Sequence, residues 1–366
     1  MLLGELVEVY SLTRSKSDIA EFVANFRRYK EPWQRRKGYR LFYNENLLLP
    51  DEYFAELVKR AEIEPSDIRN YNDPYNLSVR MMISEFYKVP VENIFFGAGV
   101  DRIISMLVDL AKVLGKKIAV VEPTYEIYSE RSLSRGIEPK KILLRNDFSL
   151  NVEKILAEVD KDYILFICSP NNPTGNQFSR EKVLTVVENT DALVVLDETY
   201  ADYGEYTLID SAMSIENFVV LRSFSKSWGL AGLRAGFAVA SEKVVSALEK
   251  LDEPYSVSSV VKKIVTGALS LYEKYVLKSI EETKRIRDWL YKKLQETSLT
   301  PYPSQANFIL FRSQRKDQLL VRLAEKGFLL KDTSSLPLLQ NTLRVTVPPP
   351  DTAEEFVQAL RELLDL

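Results

Sequence analysis

Five short stretches of the chain are apolar at nearly every position: KIAVVEP (117–123), YILFICSP (163–170), ALVVLDET (192–199), NFVVLRSFS (217–225) and RAGFAVA (234–240). Runs this short, β-branched and without polar alternation suit strands covered on both faces. Between several of them the spacing changes to a helical one. Ile103, Ile104, Leu107, Leu110, Ala111 and Leu114 form a single stripe over 101–114, and 180–189 is a shorter helical candidate. Strand–helix alternation predicts an α/β fold with a largely parallel sheet, whose ligands gather at the carboxyl ends of the strands. Glu122, Asn171, Asn172, Asp197 and Ser225 all follow such runs. After Pro254 the texture changes. Residues 258–297 lack proline and predict one long or kinked helix. ANFILFR (306–312), GFLL (327–330) and LRVTV (343–347) predict strands, with a closing helix from Thr352 to Leu364. This tail reads as a second, smaller α/β lobe, to which the first 40 or so residues could add.

Composition narrows the chemistry. The 366 residues are 46% hydrophobic and 28% charged, enough for a sizeable core and two domains. A net charge of −3 offers no electrostatic footprint for nucleic acid. No apolar run is long enough to span a bilayer, and MLLGELVEVY does not read as a signal peptide, so a cytoplasmic, membrane-free protein is expected. The single cysteine, Cys168, allows no intrachain disulfide. Histidine is absent altogether. Zinc sites and histidine-based triads are thereby excluded, no metal site is expected, and any proton transfer near neutral pH must use another group.

Four motifs carry candidate chemistry. SFSKSWGLAGLR (223–234) sets Lys226 between two hydroxyls after a buried run, with Arg234 eight residues on. LVVLDETY places Asp197 at a strand end. It is not the acidic strand end of a P-loop ATPase, because no G-x-x-x-x-G-K-[ST] precedes it; its plain alternative is a cap on the following turn. GAGVDR (97–102) opens the amphipathic helix, where free N–H groups bind phosphate. It departs from the dinucleotide fingerprint at Arg102, and a simple turn would serve as well. SPNNPTG (169–175) carries two asparagines and a candidate cis Asn172–Pro173 bond, unless it is only a tight polar loop. Tyr125 in EPTYEIY could stack on a flat ligand or fill an interface. Taken together, these residues suit a phosphorylated pyridine aldehyde: a lysine to capture the aldehyde, a carboxylate for the ring nitrogen, phosphate donors and a flat neighbour. A lysine amine released by substrate can then move the proton that histidine moves elsewhere.

The order and wording of ten motifs resemble the fold-type-I pyridoxal-phosphate aminotransferases, in particular the histidinol-phosphate aminotransferase branch. They are YNEN (43–46), YNDPYNLSVR (71–80), GAGVD, EPTY, SPNNPTG, VVLDETY, SFSKSWGLAGLRAGF, PYSVSS (254–259), SQANFILFR (304–312) and LRVTV. The resemblance implies a seven-stranded, mostly parallel sheet between helices in a large domain over 44–256. Residues 1–43 and 257–366 would form the small domain. It implies that pyridoxal 5'-phosphate is captured by Lys226, paired at its ring nitrogen with Asp197 and stacked on Tyr125. Asn172 and Tyr200 would contact the ring oxygen. Ser223, Ser225, Arg234, Gly99 and the backbone at Val100 and Asp101 would hold the phosphate. Tyr71 would reach the phosphate of a partner subunit, which implies a homodimer. Arg344 would grip the substrate carboxylate, with Asn172 and Lys331 beside it. The expected activity moves an amino group between an amino acid or histidinol phosphate and a 2-oxo acid such as 2-oxoglutarate. A threonine-phosphate decarboxylase-like lyase and an aromatic amino-acid aminotransferase are the alternatives on this scaffold. Departures cluster at the substrate mouth: Leu47, Leu48 and Leu49 follow YNEN, Lys331 stands where the family has arginine, and prolines occupy 348–350.

Overall fold

The apolar runs pair side by side in the computed structural model, which describes Trp33 and residues 37–365. From Lys37 onward these residues form one compact unit. A two-residue strand, β1 (Tyr39–Arg40), precedes the main sheet. That sheet comprises β2 (Ile94–Gly97), β3 (Lys117–Glu122), β4 (Lys140–Leu143), β5 (Tyr163–Cys168), β6 (Leu193–Asp197), β7 (Phe218–Ser223) and β8 (Gly236–Ala240). Their spatial order is β2-β8-β7-β6-β5-β3-β4. Only β8 opposes its neighbours; the β3–β4, β3–β5, β5–β6 and β6–β7 pairs are parallel.

Burial on both faces explains the continuous apolar runs. In β5, Ile164, Phe166 and Cys168 join one core cluster while Leu165 and Ile167 join another. Alternate side chains thus enter opposite layers, and both layers are dry. Each fully buried side chain of this size contributes about 1.5–3 kcal/mol, so the sheet frames the site far more firmly than the propensity of its short helices. The Val100–Val113 helix buries Ile103, Ile104, Leu107, Val108 and Ala111 against one face. Leu114, counted in the sequence stripe, is 56% exposed beyond the helix end.

The part of the chain expected to form a smaller lobe carries a four-stranded antiparallel sheet in the order β12-β13-β10-β9. Its strands are β9 (Thr300–Pro301), β10 (Phe308–Arg312), β12 (Lys331–Asp332) and β13 (Thr342–Thr346), while β11 (Phe328–Leu329) pairs with β1. A separate core of Leu290, Leu294, Ile309, Phe311, Leu343, Val345 and Phe356 supports it. The proline-free stretch is helical but interrupted. Helices Ser259–Ser270 and Leu277–Gln295 flank a π-helical turn at Tyr272–Val276. The closing helix spans Pro350–Leu364, with proline at its first turn where no N–H is needed. Within residues 1–43, the part expected to add to this lobe, all but Trp33 and 37–43 lies outside the described residues.

Candidate active site

The carboxyl ends of β3, β5, β6 and β7 converge with β13 and the 42–46 segment, and the predicted residues lie there. Asp197 ends β6, is 3% exposed, and accepts the Tyr128 hydroxyl on Oδ2 at 2.7 Å and the Thr199 N–H on Oδ1 at 2.9 Å. It therefore shapes a turn and still offers a charge. Burial pushes this carboxyl above its ordinary range. The adjacent Glu198 is treated differently: its carboxylate pairs with buried Arg222 at 3.2 Å and accepts the Leu208 N–H at 2.7 Å. One strand end thus holds a neutralised carboxylate beside one whose hydrogen-bond partners are all neutral.

Lys226 follows β7. Its ammonium donates to the Tyr43 carbonyl at 2.8 Å and lies 5.9 Å from the centre of the Tyr200 ring. Burial, reinforced by the Arg344 guanidinium, lowers its pKa to about 8. Tyr200 is buried and accepts Asn44 Nδ2 at 3.0 Å, leaving its own hydroxyl proton to donate. Burial keeps that hydroxyl protonated by raising it above the usual tyrosine value.

The helix beginning at Val100 presents its first turn to the same region. Gly99, at φ +87°, has no side chain to cap it, and an added Cβ would sit 3.3 Å from Arg234 Nη2. Gly236 lets β8 approach this helix start, since a Cβ there would lie 2.9 Å from the Val100 nitrogen. Arg234 Nη2 meets Asp101 Oδ2 at 2.8 Å, while Ser225 N–H donates to Ser223 Oγ at 3.1 Å. Tyr125 is half-buried, with its hydroxyl 3.4 Å from Asp101 Oδ1. Backbone N–H groups, two hydroxyls and a guanidinium around a glycine-lined helix start make a donor set suited to a phosphate.

At the opposite end, Arg344 on β13 is 6% exposed, donating to the Phe42 carbonyl at 2.6 Å and to Asn172 Oδ1. At that burial it is not one end of a surface ion pair with the closing helix. Because Asn172 Oδ1 is occupied, the amide NH₂ is the end left to donate. Lys331 is paired in register with Arg344 on the neighbouring strand, and burial lowers its ammonium, helped by the same guanidinium. Asn171 holds the loop rather than facing ligand: it donates to the Pro123 carbonyl at 2.9 Å and to Thr174 Oγ1 at 2.7 Å. The Asn172–Pro173 bond is cis, as are Glu122–Pro123 and Ser169–Pro170. Tyr71 stands apart, 85% exposed, with its ring 4.7 Å from that of Tyr255.

The sequence profile of the family "Aminotransferase class I and II" matches residues 39–360. The chain belongs to the class I and II aminotransferases. It is 34% identical over 353 residues to the histidinol-phosphate aminotransferase of Pyrococcus furiosus, covering 95% of this chain and 98% of that one. It is 35% identical over 349 residues to the same enzyme of Thermococcus gammatolerans, covering 94% and 97%. The fold superposes with a TM-score of 0.83 on Sinorhizobium meliloti histidinol-phosphate aminotransferase in complex with pyridoxal-5'-phosphate, at 20% identity, covering 98% and 99% of the two chains. The aminotransferase is pyridoxal-phosphate dependent. The residues present fit that group: Asp197 is a buried carboxyl to which no basic side chain among the described residues bonds, and the Gly99 helix start is a cradle of donors.

Tyr43 and Asn44 lie in the YNEN motif and Tyr128 in EPTYEIY, but none of the three had a role assigned from the sequence. Tyr128 lies in the helix Ile127–Ser134, which starts just beyond Tyr125, and its place in EPTYEIY was its one available signal. The Tyr43 contact uses a backbone carbonyl, which leaves no mark on residue type.

The lowered Lys226 ammonium has a kinetic consequence. Capture of an aldehyde needs the neutral amine, whose fraction rises about tenfold per pH unit below its pKa. The rate at which cofactor-free aminotransferase binds pyridoxal phosphate, followed by absorbance, should therefore climb with pH and level off above about 8. A rate still climbing towards pH 10 would show an ordinary, solvated lysine.

Proposed function

We propose that this aminotransferase transfers an amino group between histidinol phosphate and 2-oxoglutarate through Lys226, Asp197 and Tyr200. The observation that carries the substrate reading is the side-by-side placement of Arg344 and Lys331 on β13 and β12. Two cations on neighbouring strands suit a donor or acceptor with two anionic ends, such as glutamate, 2-oxoglutarate or a phosphorylated amine. The named relatives point the same way.

Bound pyridoxal phosphate supplies an electron sink for the substrate's α-carbon. The remaining roles fall to the protein. Asp197 would hold the ring nitrogen in its protonated form, with Tyr125 as the flat neighbour. Asn172 Nδ2 and the Tyr200 hydroxyl would serve as donors to the ring oxygen. Gly99, the Val100 and Asp101 N–H groups, Ser223, Ser225 and Arg234 would hold the phosphate. Lys226 Nζ, neutral in a useful fraction near pH 8, would be the base that accepts the substrate's α-proton and, once protonated, the acid that gives one back. Arg344 fixes the α-carboxylate and Lys331 the second anionic group. We assign these roles to a cofactor-binding domain over 44–256 and a small domain from 1–43 and 257–366.

The test is a half-reaction screen of histidinol phosphate, glutamate, phenylalanine and threonine phosphate, with product analysis. Conversion of histidinol phosphate and glutamate is expected. Turnover of phenylalanine without histidinol phosphate would overturn the substrate, and carbon dioxide release from threonine phosphate would overturn the reaction type.

Arg344→Ala should raise the KM for glutamate by about 10- to 100-fold, the range for a lost hydrogen-bonded charge pair, while leaving the cofactor spectrum in place. Arg344→Lys should recover only part of this, because a point charge cannot form two parallel bonds. Unchanged glutamate kinetics would remove Arg344 from the site.

We further propose a cytoplasmic homodimer. Tyr71, Tyr75, Leu77, Met81 and Tyr255 are all at least 41% exposed, an apolar surface of the kind that marks a protein contact. No helix among the described residues is long and apolar enough to cross a membrane. Sedimentation at assay concentration should give a dimer, with Tyr71→Phe weakening cofactor retention across the interface. An active monomer would contradict the shared site.

A further inference from the structure

We infer that the Tyr128 hydroxyl is a positioning group that keeps Asp197 ionised, and so keeps the proton shared between Asp197 and the cofactor on the ring nitrogen. This rests on the reading that Asp197 faces that nitrogen. The ring of Tyr128 needs no hydroxyl to pack: it is fully buried, stacked on Phe166 at 5.2 Å and 14°, and edge-on to Tyr125 at 5.9 Å and 90°. Phenylalanine would satisfy those contacts. A buried hydroxyl is costly unless bonded, and this one donates at 2.7 Å to Asp197 Oδ2. The Thr199 N–H supplies the other oxygen at 2.9 Å.

The contrast with Glu198 shows what this arrangement does. That carboxylate has Arg222, an internal cation, at 3.2 Å. Among the described residues, the titratable groups interacting with Asp197 are Tyr128, Cys168, Tyr125, Tyr200 and Asp101, none of them a cation, while the site's Lys226 and Arg234 bond to the Tyr43 carbonyl and to Asp101 instead. Neutral donors alone therefore hold this anion in a site whose burial works against it. Between a carboxylate and a pyridine nitrogen, one proton has two places: the charged pair, or the neutral pair with a protonated acid. A hydrogen bond donated to the carboxylate stabilises only the charged pair. The Thr199 hydroxyl also supports this carboxylate, and the backbone N–H is beyond mutation; Tyr128 is the side chain bonded to Oδ2 whose hydroxyl can be removed with its ring kept.

The experiment loads wild type, Tyr128→Phe and Asp197→Asn with pyridoxal phosphate carrying ¹⁵N in the ring, and reads the nitrogen shift at neutral pH with the cofactor's dissociation constant. Wild type is expected at the pyridinium position. Tyr128→Phe should move measurably towards the neutral pyridine position, with the dissociation constant raised about tenfold. Asp197→Asn should move further. Because Phe keeps the ring contacts, a purely structural role predicts an unmoved shift. A wild-type pyridinium shift that Tyr128→Phe leaves in place overturns the inference while the site reading stands. A neutral shift in wild type, or one that Asp197→Asn does not move, overturns the reading of Asp197 itself.

Discussion

Lys226→Ala is expected to lower kcat by about 10⁴-fold or more while the protein stays folded. The loss combines removal of the covalent anchor with removal of the proton carrier, and groups that act as a unit give losses of this size. Stability should not suffer. The side chain makes a single hydrogen bond, to the Tyr43 carbonyl, and burial together with Arg344 disfavours its charged form. Alanine removes that unfavourable charge, so Tm should be equal or higher below pH 8, where wild type carries it. Steady-state turnover with glutamate and 2-oxoglutarate, beside a thermal melt, checks both halves. A loss of only tenfold with full cofactor binding would place the proton transfer on another group.

Asp197→Asn is expected to lower kcat by about 10²–10³-fold, or about 3–4 kcal/mol of transition-state stabilisation, the magnitude for removing one preorganised electrostatic partner. The amide keeps the shape of the carboxylate and can still accept from Tyr128 or Thr199. What disappears is the charge. Burial already pushes this carboxyl up and no basic side chain among the described residues bonds to it, so removing the charge should leave the fold unharmed or slightly more stable. Near-normal turnover with the cofactor bound would assign the ring nitrogen to a different residue. A large fall in Tm would show a structural part for the charge that its neutral partners do not suggest.

The core of the fold was legible because strands buried on both faces leave an unbroken apolar signature. All five such runs became β3 and β5 to β8. Two strands of the same sheet escaped. β2 contributes only Ile94, Phe95 and Phe96 before the glycines of the helix start, too short a run to separate from a turn. β4 is an edge strand with Ile142 as its only fully buried position, so its lysines mask the pattern. The proline-free stretch was expected as one long or kinked helix; where it breaks was not legible, since the turn at 272–276 carries no breaker residue. The site residues were legible where one side chain does one kind of chemistry: Lys226, Asp197, Arg344. The contacts that tune them were not. Tyr128 reaches Asp197 across 69 residues, Asn44 reaches Tyr200 across 156 and Tyr43 reaches Lys226 across 183, pairings that only the folded topology creates.

The central claim is that Lys226 is the residue holding pyridoxal phosphate, and one measurement addresses it directly. The holoenzyme is reduced with borohydride, which makes the link between lysine and cofactor permanent, then digested, and the labelled peptide is sequenced by mass spectrometry. The label is predicted on Lys226 alone, within SFSKSWGLAGLR. Label on any other lysine, or a protein that retains the cofactor without any reducible link, would contradict the account.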